Sequence, residues 1–347
     1  MDVEGLIYRI ICGYYYININ NETYKVLSPD IEIKQEAHTL YNKILSDYKF
    51  DQENWITQKK TESMLKESDV WNSSSDKDLE ILENRLEDMK IELYLKFDDP
   101  VMKNKIKKSI VTGQKKINDM RMKKHSLDHL TLENYAASLK NEFIIVNTVY
   151  LNNKKALDSD NIGSELLETF VLTLGVNSMS MESLRGVARS DLWKSYWDAA
   201  KGNIFPPPAY KWTDEQRLVV NLSKMYDSVR EHPNVPEDKI IDDDDALDGW
   251  MAFYRRKAEK ERKKDKLMDA VGGKYKNAGE IFIVTDSQEQ AKEIYDLNDA
   301  KGLAQIHHIK KLAETQETPT QWQDLPHVKA EIQGQIKKQQ QLKDKQK

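Results

Sequence analysis

Apolar residues along this 347-residue chain recur mostly at spacings of three and four, the period of amphipathic helices. Ile31 to Lys49 carries Ala37, Leu40, Tyr41 and Ile44 on one face, and a second pattern runs from Trp55 through Met64 and Leu65 to Val70. Leu79, Leu82, Leu86, Met89 and Leu93 then form a seam, with Ser75 as the expected cap. Met102, Ile106, Ile110, Ile117 and Met120 form the matching stripe of the next helix, so an antiparallel helical hairpin or short coiled coil is expected. Leu6 to Ile17 and Thr23 to Leu27 are instead rich in β-prone residues around the Asn18 to Asn21 cluster, which predicts a β-hairpin. Tyr14 to Tyr16 would give that hairpin a tyrosine edge for binding or, more simply, for packing on the next helix.

Beyond the apolar segment Thr131 to Leu151, the stretch NNKKALDSDNIG reads as a break and a domain boundary. Glu165 to Leu174 follows as a core helix, and Met181 to Lys201 as one helix with Leu184, Val187, Ala188, Leu192, Trp193 and Tyr196 on its apolar face. Pro206, Pro207 and Pro208 demand an extended connector. Thr213 and Gln216 form a capping box for a helix Asp214 to Glu231. Near the end, a strand Ile281 to Val284 and helices Gln288 to Leu297 and Asp299 to Ala313 are expected, then a low-complexity tail. The fold class is mainly α, with a small N-terminal β-hairpin, helical hairpin and bundle domains, and a small C-terminal α/β element. The expected divisions are 1–152, 163–272, 273–328 and 329–347.

Composition refines this picture. Apolar residues at 39% and charged residues at 32% leave much of the chain at a surface or against partners, which predicts an elongated protein. A net charge of −5 conceals separated stretches of opposite sign, among them the lysine-rich Lys103 to Lys124. Cys12 is the single cysteine, so an intramolecular disulfide is excluded, and a reducing compartment is the natural setting. The chain has no apolar run of membrane-spanning length and no basic secretory start, so a soluble, cytoplasmic protein without membrane contact is expected.

Charge sorting is sharpest between Glu237 and Lys266. Carboxylates through Asp242, Asp243, Asp244, Asp245 and Asp248 precede Trp250, Met251 and Tyr254, and the basic run RRKAEKERKKDK follows. Asp244 or Asp245 opens a helix here, where carboxylates suit the positive end of the macrodipole and late cations the negative end. That effect explains the ends of the helix. It leaves unexplained that Ala258 is the one uncharged residue from Arg255 to Lys266, so this half must project into solvent or meet an acidic partner. The candidate partner-binding residues are Asp244, Asp245, Asp248, Trp250, Met251, Tyr254, Arg255, Arg256, Lys260, Lys263 and Lys264.

Readable catalytic signatures are missing. The chain has no G-x-G-x-x-G, P-loop, H-E-x-x-H or G-x-S-x-G motif, and no catalytic residue, cofactor or metal is expected. His125 and His129 have Asp128 between them but no third ligand, and Asp242 to Asp245 lack the alternation of a calcium loop. Cys12 reads as a small apolar strand residue, and Trp193, Trp197, Trp212 and Trp250 read as core or interface anchors.

Residues 212 to 261, WTDEQRLVVNLSKMYDSVREHPNVPEDKIIDDDDALDGWMAFYRRKAEKE, resemble a segment of proteins encoded beside virion and tail-assembly genes of tailed bacteriophages. GEIFIVTDSQEQAKEIYDLND, YRIICGYYYI and WITQKK share that flavour. The resemblance implies a setting without a mechanism: a non-catalytic virion or tail component, or an assembly chaperone, acting through contacts with other phage structural proteins and with its own copies. It would act in the host cytoplasm during assembly, or in the virion. The alternative is a nucleic-acid-binding accessory factor that sets Lys103 to Lys124 and Arg255 to Lys266 on phosphates.

Overall fold

Asp2 caps the first helix. Its side chain accepts a hydrogen bond from the Gly5 amide at 2.8 Å, and Gly13, at φ 71°, closes helix α1 (Val3–Cys12) by donating to the Arg9 carbonyl. Between these caps, Ile7 and Ile10 fall on one face and are fully buried. These local signals override the β-propensity of residues 6–12, so the expected strand starts only at Tyr14, and Cys12 is an exposed residue at a helix end. The computed structural model describes residues 2–48, 55–158, 164–200 and 203–271, together with Lys292 and Tyr295.

Strands β1 (Tyr14–Ile19) and β2 (Glu22–Leu27) form the expected hairpin. Pairing of Ile19 with Glu22 leaves Asn20 and Asn21 as its loop, at φ 51° and 64°, the positive values that a two-residue hairpin turn needs. The same device recurs at the expected break. Asn152 and Asn153, at φ 51° and 65°, join β3 (Val149–Leu151) to β4 (Lys154–Lys155), giving a four-stranded sheet in the order β1-β2-β3-β4. The inner face of the sheet, with Ile17, Ile19, Tyr24, Val26 and Val149, packs on α6 (Leu132–Thr148) and α7 (Glu165–Val176). Tyr24 meets Phe170 of α7 edge to face at 4.9 Å.

Helices α2 (Ile31–Asp47) and α3 (Gln58–Glu67) lead into the long pair α4 (Ser73–Leu95) and α5 (Pro100–Lys124). Leu93 and Ile106 pack at one end of this pair and Leu79 and Ile117 at the other, the antiparallel hairpin expected from the sequence. Asn72 is the N-cap of α4, and Ser75 supplies the reciprocal half of the capping box.

The span 181–200 is two helices, α8 (Met181–Arg189) and α9 (Asp191–Ala200). Ser190 between them is extended, and its hydroxyl accepts from the Trp193 amide at 3.3 Å. That turn directs Trp193 and Trp197 into the core of α10 (Asp214–Arg230), where their indoles donate to Ser223 and Asp227, each at 2.8 Å. The Thr213–Gln216 capping box opens α10, and Gln216 also donates to the Ile10 carbonyl at 2.9 Å. The short α11 (Asp238–Ile241) and the long α12 (Asp244–Val271) follow.

The described residues up to Tyr254 belong to one compact unit, and the described residues from Arg255 onward do not belong to it. Within the first unit, α1 shares a core with α8 and α10, and the sheet shares one with α7, so residues on both sides of 152–163 pack together. The expected strand Ile281 to Val284, its following helices and the tail lie outside the described residues, apart from the two single positions. Among the described residues no helix is long and apolar enough to cross a membrane.

Candidate functional site

Gly249 decides how α12 is seated. A Cβ at this position would lie 1.9 Å from the Lys90 carbonyl oxygen and 2.4 Å from its carbon, so the backbone of α12 rests directly on that of α4. Only glycine permits this approach. The Lys90 side chain then reaches Asp245 at 2.9 Å and Asp248 at 2.8 Å, carboxylates on the helix that Gly249 admits.

A chain of ion pairs extends from this crossing. Arg185 of α8 bonds Asp248 at 2.7 Å and lies 3.6 Å from Asp244. Arg189, also on α8, pairs with Asp244 and donates to the Tyr226 hydroxyl at 3.1 Å. Lys107 of α5 pairs with Asp243. The acidic run is thereby tied to α4, α5, α8 and α10. Burial disfavours charge on Lys90, Arg185 and Arg189, but the hydrogen bonds they donate, to Asp248 and Asp245, to Asp248, and to Asp244 respectively, help outweigh it and raise each pKa above its ordinary value. Tyr226 also lies above the usual phenol range, chiefly through burial.

The aromatic part of the helix is equally committed. Trp250 is 4% exposed in the core shared with Trp193 and Tyr226, and its indole donates to the Asn234 carbonyl at 3.2 Å. His232 sits against both Trp250 and Tyr254, with ring centres 5.0 Å and 4.9 Å away, so α12 clamps the segment that ends α10. Met251 packs against the same core. Of the candidate partner-binding residues, Trp250 is buried in this core, Asp244, Asp245 and Asp248 are held in internal ion pairs, and Met251 and Tyr254 are half-buried. Sequence supplies the charge sorting, but it does not show that cations on α4, α5 and α8 neutralise the carboxylates.

The chain matches no protein-family model, no curated protein and no solved structure. Its chemistry is consequently read from its own residues.

Arg255, Arg256, Lys260, Lys263 and Lys264 occupy the second half of α12, where every side chain from Lys257 to Lys266 is exposed. Eight basic and three acidic residues between Arg255 and Lys266 make this a cationic surface. The other basic candidate is reduced by folding: Arg121 and Lys124 of α5 pair with Glu83 and Asp76 of α4, and the Lys103 ammonium lies 3.4 Å from the centre of the Phe97 ring. Lys124 and Trp71 together hold Asp76 below the usual carboxylate range, with the Lys124 hydrogen bond the largest cause.

Beside the ion-pair network lies an open cleft lined by Lys107, Glu182, Arg189, Lys239 and Asp242 to Asp245. Its three cations and five carboxylates include the Lys107–Asp243 and Arg189–Asp244 pairs of that network, which suits a structural joint. His125 bonds Asp128 at 2.8 Å at the end of α5, and no group of three metal-ligating side chains occurs among the described residues. Sequence reasoning overlooked Lys90, Arg185, Arg189 and Gly249. Gly249 alone carried a local signal: a glycine inside a helix costs about 1 kcal/mol relative to alanine, and close packing is the usual compensation.

Proposed function

We propose that the chain is a non-catalytic structural or assembly protein of a tailed phage, working through protein–protein contacts made by the cationic half of α12. The observation that carries this reading is the division of labour along one helix. Its acidic, aromatic start is used inside the protein, whereas Lys257 to Lys266 are exposed and predominantly basic. An exposed helix with no apolar face gains little from folding onto its own core, and an acidic protein surface is the partner its charge selects. The resemblance of residues 212–261 to proteins of virion and tail-assembly modules supplies the phage setting. Action in the host cytoplasm during assembly, or within the virion, follows from that setting.

Co-purification with virion proteins tests the reading. Lys260→Glu, Lys263→Glu and Lys264→Glu together are expected to keep the helical circular-dichroism spectrum and a cooperative thermal transition while abolishing co-purification at low salt. Equal recovery of virion proteins by wild type and this variant would overturn it. Trp250→Ala is unsuited to the purpose, because it opens the core.

A further inference from the structure

The outer face of the sheet carries a pattern that packing does not require. Tyr16 pairs with Lys25, Lys25 with Tyr150, and Tyr150 with Lys155, so one row across all four strands alternates aromatic and cationic side chains. Side chains on one face of a sheet alternate with those on the other, and Ile17, Tyr24 and Val26 of the neighbouring positions are the buried ones. The row therefore faces away from that core. Tyr16 is 60% exposed, large for an aromatic ring within a paired strand. Tyr14 stands beside it edge to face at 5.8 Å, and the Lys25 ammonium lies 3.9 Å from the Tyr14 ring centre. Lys155 is exposed and donates to the Asn147 side-chain oxygen at 2.7 Å. Among the described residues, neither lysine pairs with a carboxylate.

We propose that this face binds single-stranded nucleic acid. Strands about 4.8 Å apart place Tyr16 and Tyr150 about 10 Å from one another, with Lys25 on the strand between them and its ammonium turned onto the neighbouring Tyr14 ring. The exposed Tyr16 ring and the half-buried Tyr150 ring offer stacking surfaces to unpaired bases, and the Lys25 and Lys155 ammonium groups on the same face meet the phosphates that join those bases. An apolar protein partner would gain nothing from lysines in this row, and a duplex would bury its bases away from the rings. The site is independent of the α12 reading: it uses other residues and a different kind of partner.

Fluorescence anisotropy of labelled oligo(dT) and oligo(U), against a duplex of equal length, tests the proposal with the full chain. Both single strands are expected to bind at low salt more tightly than the duplex, and the tighter of the two identifies the natural polymer. Tyr16→Ala should weaken binding about tenfold, while Tyr16→Phe keeps it. Lys25→Gln with Lys155→Gln should lower the slope of log affinity against log salt by about 1.4. Lys108→Gln with Lys115→Gln on α5 should change neither the order of preference nor the Tyr16 effect. The proposal is overturned by absence of binding at low salt, by duplex bound as tightly as single strands, or by Tyr16→Ala binding like wild type. Loss of binding in the α5 variant with the sheet variants unaffected would also overturn it.

Discussion

The carbonyl oxygen of Lys90 occupies the place where a side chain on Gly249 would begin, 1.9 Å from the ideal Cβ position. The obstruction is backbone on both sides, so no rotamer change relieves it. Gly249→Ala must push α12 off α4 and lengthen the contacts of Lys90 with Asp245 and Asp248. The expected cost is about 3 kcal/mol or more, well beyond ordinary overpacking of a core. Chemical denaturation checks this, and a variant as stable as wild type would show that the two backbones do not touch.

Lys90 and Asp248 should be energetically coupled. Their side chains are 17% and 26% exposed, and Asp248 also bonds Arg185, so removing either partner leaves charge in a partly dry site. A double-mutant cycle with Lys90→Met and Asp248→Asn is expected to give a coupling of about 1 to 2 kcal/mol. The double variant should lose less stability than the two single losses added together.

The same lysine predicts a pH dependence. Its folded pKa is raised above the ordinary 10.5, so the folded state holds the proton more tightly than the unfolded chain. This contribution is full below pH 10.5 and disappears as pH rises through the folded value. Lys90→Met should therefore show a smaller loss of stability than wild type on going to strongly alkaline pH. Parallel curves for the two proteins would contradict the assignment.

Asn21 and Asn153 hold positive φ angles at the second position of their two-residue turns. Replacing either with valine should destabilise the protein by about 1 to 3 kcal/mol, because a β-branched residue resists that conformation. Glycine should be tolerated or slightly stabilising, since it is favoured at this position. Thermal melts of the four single variants separate these outcomes.

Much of the architecture was legible because its signals are local. Leu79 to Leu93 and Met102 to Met120 state their period in the sequence, and Thr213 with Gln216 states a helix start. The Asn18 to Asn21 cluster likewise marks a turn. The errors at α1 and Ser190 have a different origin. At residues 3–12, caps at both ends and two buried isoleucines outweigh strand propensity, and Ser190 interrupts an apolar period that continues across it. The candidate site was legible only as charge along one segment. Which carboxylates are neutralised inside the fold depends on Lys90, Arg185 and Arg189, separated from the acidic run by between 55 and 158 positions. No reading of neighbouring residues brings those groups together.

The central claim is that α12 holds the fold with its first half and meets a protein partner with its second. Lysine cross-linking in assembling phage particles, read by mass spectrometry, tests it most directly. Salt-sensitive cross-links are expected from Lys260, Lys263, Lys264 and Lys266 to an acidic region of another particle protein. Particles that contain the chain, yet yield cross-links from its other lysines and none from these four, would contradict it.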